Sequence, residues 1–281
     1  MLTIERVATP VDVAGQPGRG VLAVAHHGAG SVVTSARASS PLRLLLPKNR
    51  GAAAWVFTST YGGGLVGGDR IALDVDVGPG AACFVSTQAS TKVYRSPSVA
   101  ESRLAARVAR EGFLAIVPDP VVCFRASRFR QTQRIDLAGD SSLVFVDWVT
   151  SGRRAAGERW AFHEYATRLD VRVDGRLLVR DALALRAADI DVSARMGRFD
   201  VLALVVLQGP RVRGAAEDIA GRVDGHPLSR RANQIMSAAR VGDGCVLRIA
   251  GTSVEEVART LRDWLGFLPG DLGDDPWARK W

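Results

Sequence analysis

The sequence predicts an all-β fold of many short strands in stacked sheets, helical-sandwich or β-helix-like, with one or two helices near the C-terminus. Turn signals recur from about residue 20 to 210 at the spacing of consecutive short strands; they include Gly78-Pro79-Gly80, Glu111-Gly112, Pro118-Asp119-Pro120, Ala138-Gly139-Asp140 and Asp174-Gly175. β-branched or alternating runs lie between them, and strong helical periodicity is missing from the same span. A weak internal repeat aligns DVGPGAACFVSTQAST from Asp76 with DLAGDSSLVFVDWVTS from Asp136, as two stacked β units would.

Along the chain, five of the seven residues from Gly62 to Gly68 are glycine, a residue chosen where the backbone needs φ > 0 or another group approaches closely. Asp69 closes that loop. Ile71, Leu73, Val75 and Val77 then alternate with Asp74 and Asp76, the period of a half-buried strand. The clearest later strands are Phe113 to Val117, Ser142 to Val149 and Arg168 to Val173. The two best helix candidates follow, over Leu228 to Val241 and Ser253 to Leu268. In the second, Ser253 as N-cap with Glu256 three residues on makes a capping box. Val254, Val257, Leu261, Trp264, Leu265 and Leu268 form its apolar stripe. The polar tail after Gly270, carrying Trp277 and Trp281, reads as an extended arm. One unit over residues 1–281 is expected, a β body at about 20–225 followed by a helical segment and tail at about 226–281.

The 281 residues are 47% apolar and 23% charged, the composition of a folded chain rather than a disordered one. The longest apolar run, Val201 to Leu207, has seven residues, far short of a membrane span. Glu5 and the lack of an apolar stretch near the N-terminus argue against a secretory signal. Three cysteines, Cys83, Cys123 and Cys245, are an odd number without C-x-x-C spacing, which suits neither a disulfide framework nor a zinc ribbon. A reducing cytoplasm is the expected location, with Cys83 and Cys123 as small buried hydrophobes. The net charge of +8 invites a nucleic-acid reading. Only three of the 37 basic residues are lysine, however, and no basic run with interleaved aromatics occurs. No nucleic-acid partner is expected, and the charge suits steering of an acidic protein.

Enzymatic chemistry finds little support. A P-loop needs a Gly-Lys-Ser/Thr ending and a helix start, whereas Gly67-Gly68-Asp69-Arg70 runs into a strand. The adjacent His26 and His27 point to opposite faces of a strand, poor geometry for one metal. His163 reads as an ordinary strand histidine, and no H-E-x-x-H or G-x-S-x-G occurs. Three carboxylates do sit in unusual settings. Asp69 follows the glycine loop, Asp119 lies between two prolines, and Glu158 begins an aromatic strand. Each also has a structural reading, as a loop cap, a turn residue and an arginine partner respectively.

Three blocks together resemble the UreD (UreH) family of urease accessory proteins. They are Gly63 to Asp69 with Gly78 to Ala81, Thr87 and Thr91-Lys92-Val93-Tyr94-Arg95-Ser96; Pro118 to Gln131; and Val146 to Phe162. The matching blocks fall within roughly residues 41–185, in order and spacing. The resemblance implies a non-enzymatic nickel metallochaperone scaffold that binds UreF-like and UreG-like accessory proteins and apo-urease, with no membrane partner. It implies no tightly bound cofactor, only transient Ni²⁺ in a water-filled passage. Asp69, Asp119 and Glu158 are then weak, transient ligands lining that passage, with Ser86, Thr87 and Gln88 as neutral lining and Asp147 added through its place in the repeat. Trp264, Trp277 and Trp281 are the expected partner anchors, since aromatic side chains dominate interface energetics. The alternative is a β-rich assembly protein with a different client and no metal. Acid and base catalysis by the three carboxylates is a third reading.

Overall fold

The chain crosses repeatedly between two facing sheets. In this computed structural model, residues 17–48, 51–225, 229 and 231–278 are described. Strands β1 (Gly18–His27) and β2 (Gly30–Ala38) form an antiparallel hairpin, and β3 (Leu42–Leu45) pairs antiparallel with β4 (Ala54–Thr60). Next come β5 (Arg70–Val77), β6 (Ala82–Thr87), β7 (Thr91–Val93), β8 (Ala100–Val108), β9 (Phe113–Ile116), β10 (Val121–Cys123), β11 (Arg128–Leu137) and β12 (Ser142–Thr150). Strands β5, β8 and β11 stack in parallel in one sheet, and β6, β9 and β12 stack in parallel in the other. Each coil is thus one strand of each sheet, with β7 and β10 as a short third side. Val77, Val108 and Leu137 are in register, so one coil runs from Val77 to Val108 and the next from Val108 to Leu137. Asp76 and Asp136 both align with Arg107, and the sequence repeat that starts at those two aspartates therefore spans two coils. Its middle copy is hard to see because the turn from Ala109 to Gly112 lacks the Gly-Pro or Gly-Asp pair of the outer two.

Strands β13 (Glu164–Val173) and β14 (Arg176–Arg186) complete a seven-stranded sheet of order β14-β13-β11-β8-β5-β1-β2. Helix α1 (Val192–Met196) leads to β15 (Val201–Gln208), α2 (Arg213–Asp224), β16 (Gln234–Val241), β17 (Gly244–Gly251), α3 (Val254–Trp264) and α4 (Leu268–Leu272). The second sheet runs β16-β17-β15-β12-β9-β6-β4-β3, with β7 and β10 off that path. Two apolar clusters fill the space between the sheets. One contains Leu22, Val75, Ile135, Phe145 and Val206, and the other Leu65, Phe129, Trp160, Phe162 and Tyr165. A third joins Trp55, Phe84, Phe113 and Leu207 to Ile219 of α2, Leu261 of α3 and Leu272 of α4, so the helices cover the outer face of the second sheet. Every residue of β12 is buried, as its mostly apolar run requires of a central strand.

Ion pairs, most of them between neighbouring strands, cover the outer face of the seven-stranded sheet. Arg103 reaches Asp74 at 2.7 Å and Arg70 reaches Glu101 at 3.4 Å, while Glu164 is shared by Arg128, Arg130 and Arg186 and Asp170 by Arg168 and Arg180. The three cysteines are buried and free, and burial pushes the Cys83 and Cys123 thiols up to about 12 and that of Cys245 to about 11.

The C-terminal third departs from the sequence expectation in three places. Over the expected helix Leu228 to Val241, residues Gln234–Val241 form β16, an edge strand paired antiparallel with β17; Leu228 itself lies outside the described residues. Pairing overrides the helix-favouring Ala, Met, Gln and Arg side chains of this segment. Helix α2 has no counterpart in the sequence expectation, because its buried face is only Ala216, Ile219 and Ala220 and its sequence carries Gly214 and Gly221. Helix α3 begins as expected, the Ser253 hydroxyl accepting the Glu256 N–H at 3.3 Å, but ends at Trp264. The tail beyond it packs onto the body instead of extending as an arm: Leu272 is fully buried, and its carbonyl accepts the Ala53 N–H at 3.1 Å.

Candidate functional site

The glycine loop is clamped against the segment carrying β7. The Leu65 N–H donates to the Lys92 carbonyl at 2.8 Å, and the Tyr94 N–H donates to the Leu65 carbonyl at 2.8 Å. That approach leaves no room for a side chain at Gly64, where a Cβ would meet the Tyr94 ring at 2.6 Å and the Lys92 carbonyl oxygen at 2.7 Å. Gly68 has a φ of 91°, and Asp69 closes the turn by accepting the Val66 N–H at 2.9 Å. Gly64→Ala is expected to lower stability by about 1–3 kcal/mol through overpacking. A melting temperature shifted by several degrees, read by thermal unfolding, checks this.

Between the two interlayer clusters runs a polar seam. Inward-facing positions on three neighbouring strands read apolar, polar, apolar: Phe129, Gln131, Gln133 and Ile135 on β11; Tyr165, Thr167 and Leu169 on β13; Phe145, Asp147 and Val149 on β12. Asp147 comes from one sheet and its partners from the other. Its two carboxylate oxygens accept from Gln131 Nε2 at 2.9 and 2.8 Å, and one also accepts from the Thr167 hydroxyl at 2.9 Å. Gln133 Nε2 donates to it at 3.5 Å, and Gln131 Nε2 also reaches the Tyr165 hydroxyl at 3.2 Å. Burial pushes the Asp147 carboxyl above its ordinary range, and the hydrogen bonds only partly oppose that shift. Asp181 of β14 and Arg248 of β17 pair across the two sheets at one side of the seam, and the Asp181 charge raises the Asp147 pKa further.

The register carries the seam toward the opposite side. Val85, Ile116 and Phe145 are mutually in register, so continuing two residues on aligns Thr87, Pro118 and Asp147. Thr87 and Asp119 are joined there, the Thr87 hydroxyl donating to the Asp119 carboxylate at 3.0 Å and accepting the Asp119 N–H at 2.7 Å. Ser86 points the other way, as strand alternation demands, and donates to the Val117 carbonyl at 2.6 Å on the helix-facing side. Gln88 is exposed just past β6. Glu158 is buried against Arg153, whose Nε donates to it at 3.0 Å, and it accepts the Arg125 N–H at 3.2 Å. The Arg153 hydrogen bond holds its carboxyl below the ordinary range. Among the described residues, no three His, Cys, Asp or Glu side chains lie close enough to hold one ion.

Sequence reasoning placed Asp147 in the group but missed Gln131, Gln133, Thr167, Asp181 and Arg248. The available signal was two glutamines on the otherwise apolar face of RFRQTQRIDL. Of the tryptophans, Trp264 is half-buried and lines a groove of about 570 Å³ with Met236, Arg259 and Thr260. Trp277 is half-buried against the helix-side cluster with Arg262 over its ring at 5.9 Å, and Trp281 lies outside the described residues. No helix among the described residues is long and apolar enough to cross a membrane.

Known proteins share this sequence along nearly its whole length. The model of the family described as UreD urease accessory protein matches residues 16–281. The urease accessory protein UreD of Sorangium cellulosum is 52% identical over 95% of this chain and 86% of its own length. The protein of the same name from Anaeromyxobacter is 42% identical over 98% and 96%, and urease accessory protein D of Arabidopsis thaliana is 34% identical over 92% and 99%. The chain belongs to the UreD family of urease accessory proteins.

Proposed function

We propose that this chain is a non-catalytic scaffold that, together with UreF-like and UreG-like proteins in the cytoplasm, delivers Ni²⁺ to apo-urease, and that the ion crosses it along the polar seam. The seam around Asp147 carries this reading. A tight site of imidazole and thiolate would hold Ni²⁺ and stop its transit, since those ligands rank above carboxylate for such a metal. A conduit needs weak, separated oxygen ligands that let the ion enter and leave. Carboxylate, amide and hydroxyl groups buried between two apolar clusters supply that chemistry, with Asp119 and Thr87 toward one side and Asp181 toward the other. The GTPase expected of a UreG-like partner supplies the nucleotide chemistry this sequence lacks.

One observation favours the alternative, an assembly protein without metal: Asp69 and Glu158 are both engaged by groups of their own chain. Cells lacking this chain separate the two readings. Supplying it is expected to restore both urease activity and urease nickel content. Asp119→Ala and Glu158→Ala should leave complex assembly intact and lower nickel loading. Loss of the complex in both variants supports the structural reading, and normal nickel loading in Asp69, Asp119 and Glu158 variants alike ends their part in a conduit.

A further inference from the structure

The outer face of β11, β13 and β14 brings together six arginines and three carboxylates. Arg128, Arg130 and Arg186 surround Glu164; Arg168 and Arg180 share Asp170; Arg134 holds Asp136. The two kinds of charge are not equally presented. Glu164 and Asp170 side chains are 2% and 15% exposed, whereas Arg130, Arg168 and Arg180 are 51%, 51% and 48% exposed. Around Glu164 and Asp170 an approaching molecule therefore meets guanidinium groups with their counter-charges sunk beneath them, while Asp136 and Asp189 at the margins are 31% and 61% exposed. In the adjoining strands β5 and β8 the charges balance, Arg70, Arg103 and Arg107 against Glu101, Asp74 and Asp76. The surplus is thus local.

Each of Arg130, Arg168 and Arg180 gives two N–H groups to the carboxylate below it. A guanidinium has five such donors in a fixed fork, so it has further donors for carboxylates arriving from outside, and its orientation is already set. Between the arginines the face is floored by small residues, Ala166, Ala182 and Ala184. Strands β13, β11, β8, β5 and β1 of this sheet are parallel, and parallel sheets occur almost only with both faces covered. Here α2, α3 and α4 cover the other sheet, and α1 packs through Val192 and Met196 on the interlayer cluster of Phe129 and Tyr165.

We propose that the outer face of β11, β13 and β14 docks a flat, acidic face of a folded protein partner, whose carboxylates take the outward guanidinium donors. The outward positions of these strands carry no aromatic for base stacking. A flat sheet face also cannot enter a groove of duplex DNA. For a membrane surface the apolar contribution is small, Leu177 at the β14 turn being 42% exposed. The inference rests on the accessory role proposed above, in which the chain works by assembling with other proteins.

The test compares full-length wild-type chain with two variants of equal net charge, Arg168→Gln/Arg180→Gln in the patch and Arg103→Gln/Arg107→Gln beside it. Apo-urease, the UreF-like protein and the UreG-like protein, each purified, are the probes at low and moderate salt. The patch variant is expected to bind one of the three at least about tenfold more weakly with a shallower salt dependence, and the neighbouring variant within about twofold of wild type. Hydrogen exchange on the wild-type complex should show slowed exchange in β13 and β14, a readout that needs no variant to fold. Equal affinities for both variants with unchanged exchange overturn the docking face and leave the accessory role standing. Patch-dependent binding of duplex DNA or anionic vesicles, with none of the proteins, overturns it in favour of those ligands. A wild-type chain that binds none of the three proteins removes the accessory reading and this inference together.

Discussion

Asp147→Asn is expected to fold and to assemble normally, and to lower the nickel loading of urease at least about tenfold, the equivalent of about 1.4 kcal/mol. The asparagine keeps the shape of the side chain, and the Gln131 amide can turn to present its oxygen to the new NH₂ group. What is lost is the carboxyl group in the middle of the seam and its capacity to ionise as an oxygen ligand. Stability should move the opposite way to activity. Burial raises the folded-state pKa of Asp147, so its favourable contribution is fully present below the unfolded value of about 3.9 and is lost as pH rises through the raised folded value. The asparagine does not titrate, so the variant should gain on wild type between acidic and neutral pH. Urea midpoints at several pH values together with nickel analysis of urease check both halves. Asp147→Leu makes the contrast: it removes the shared acceptor of Gln131, Gln133 and Thr167, leaving Gln131 only the Tyr165 and Thr167 hydroxyls and Thr167 only the Gln133 side-chain carbonyl, and should cost about 1–3 kcal/mol. Normal nickel loading by Asp147→Asn would remove the seam from the delivery route.

Truncation after Leu268 is expected to unfold much of the protein rather than trim an accessory arm. The deleted segment contains fully buried Leu272, and its Gly273 packs so closely on Gly51 that a Cβ there would approach the Gly51 backbone within 2.8 Å. Loss of one fully buried leucine costs about 2–5 kcal/mol, and the Trp277 contacts go with it. Against a typical total of about 5–15 kcal/mol, this is a large fraction. Partner binding lost on truncation would thus report folding. Trp264→Ala is the better probe of the partner surface, since that ring is half-buried at a groove on the rim of the helix-side cluster and the rest of the chain stays in place. An unchanged melting temperature after truncation would refute the structural role of the tail.

The β-helix-like architecture was legible because strand alternation and turns are local. Ile71 to Val77 and its turn Gly78-Pro79-Gly80 announce themselves without reference to any neighbour. The repeat between Asp76 and Asp136 even contained the coil length, doubled. The edge strand β16 was not legible, since its state is decided by pairing with β17 across a turn, against its own propensity. The candidate site was legible only in part, for the same reason. Asp69 and Glu158 attract notice beside glycines and aromatics, yet their partners Val66, Arg125 and Arg153 depend on loop geometry. Asp147 sits in an apolar run that reads only as a strand, and its neighbours Gln131 and Thr167 arrive from two strands of the facing sheet. Nothing in the run itself announces that meeting.

Coil winding also sets how such a protein can change size over evolutionary time. Each coil adds one strand to both sheets at once, since β8 and β9 join the two sheets as a pair and β11 and β12 do the same. Inserting or deleting a coil would widen or narrow both sheets together by about 4.8 Å, the spacing between neighbouring strands. The row through Thr87, Pro118 and Asp147 would grow or shrink by the same step without changing direction, because it runs across the strands. Distance across the molecule is thus available only in whole steps of one coil, and drift by single residues is confined to the turns.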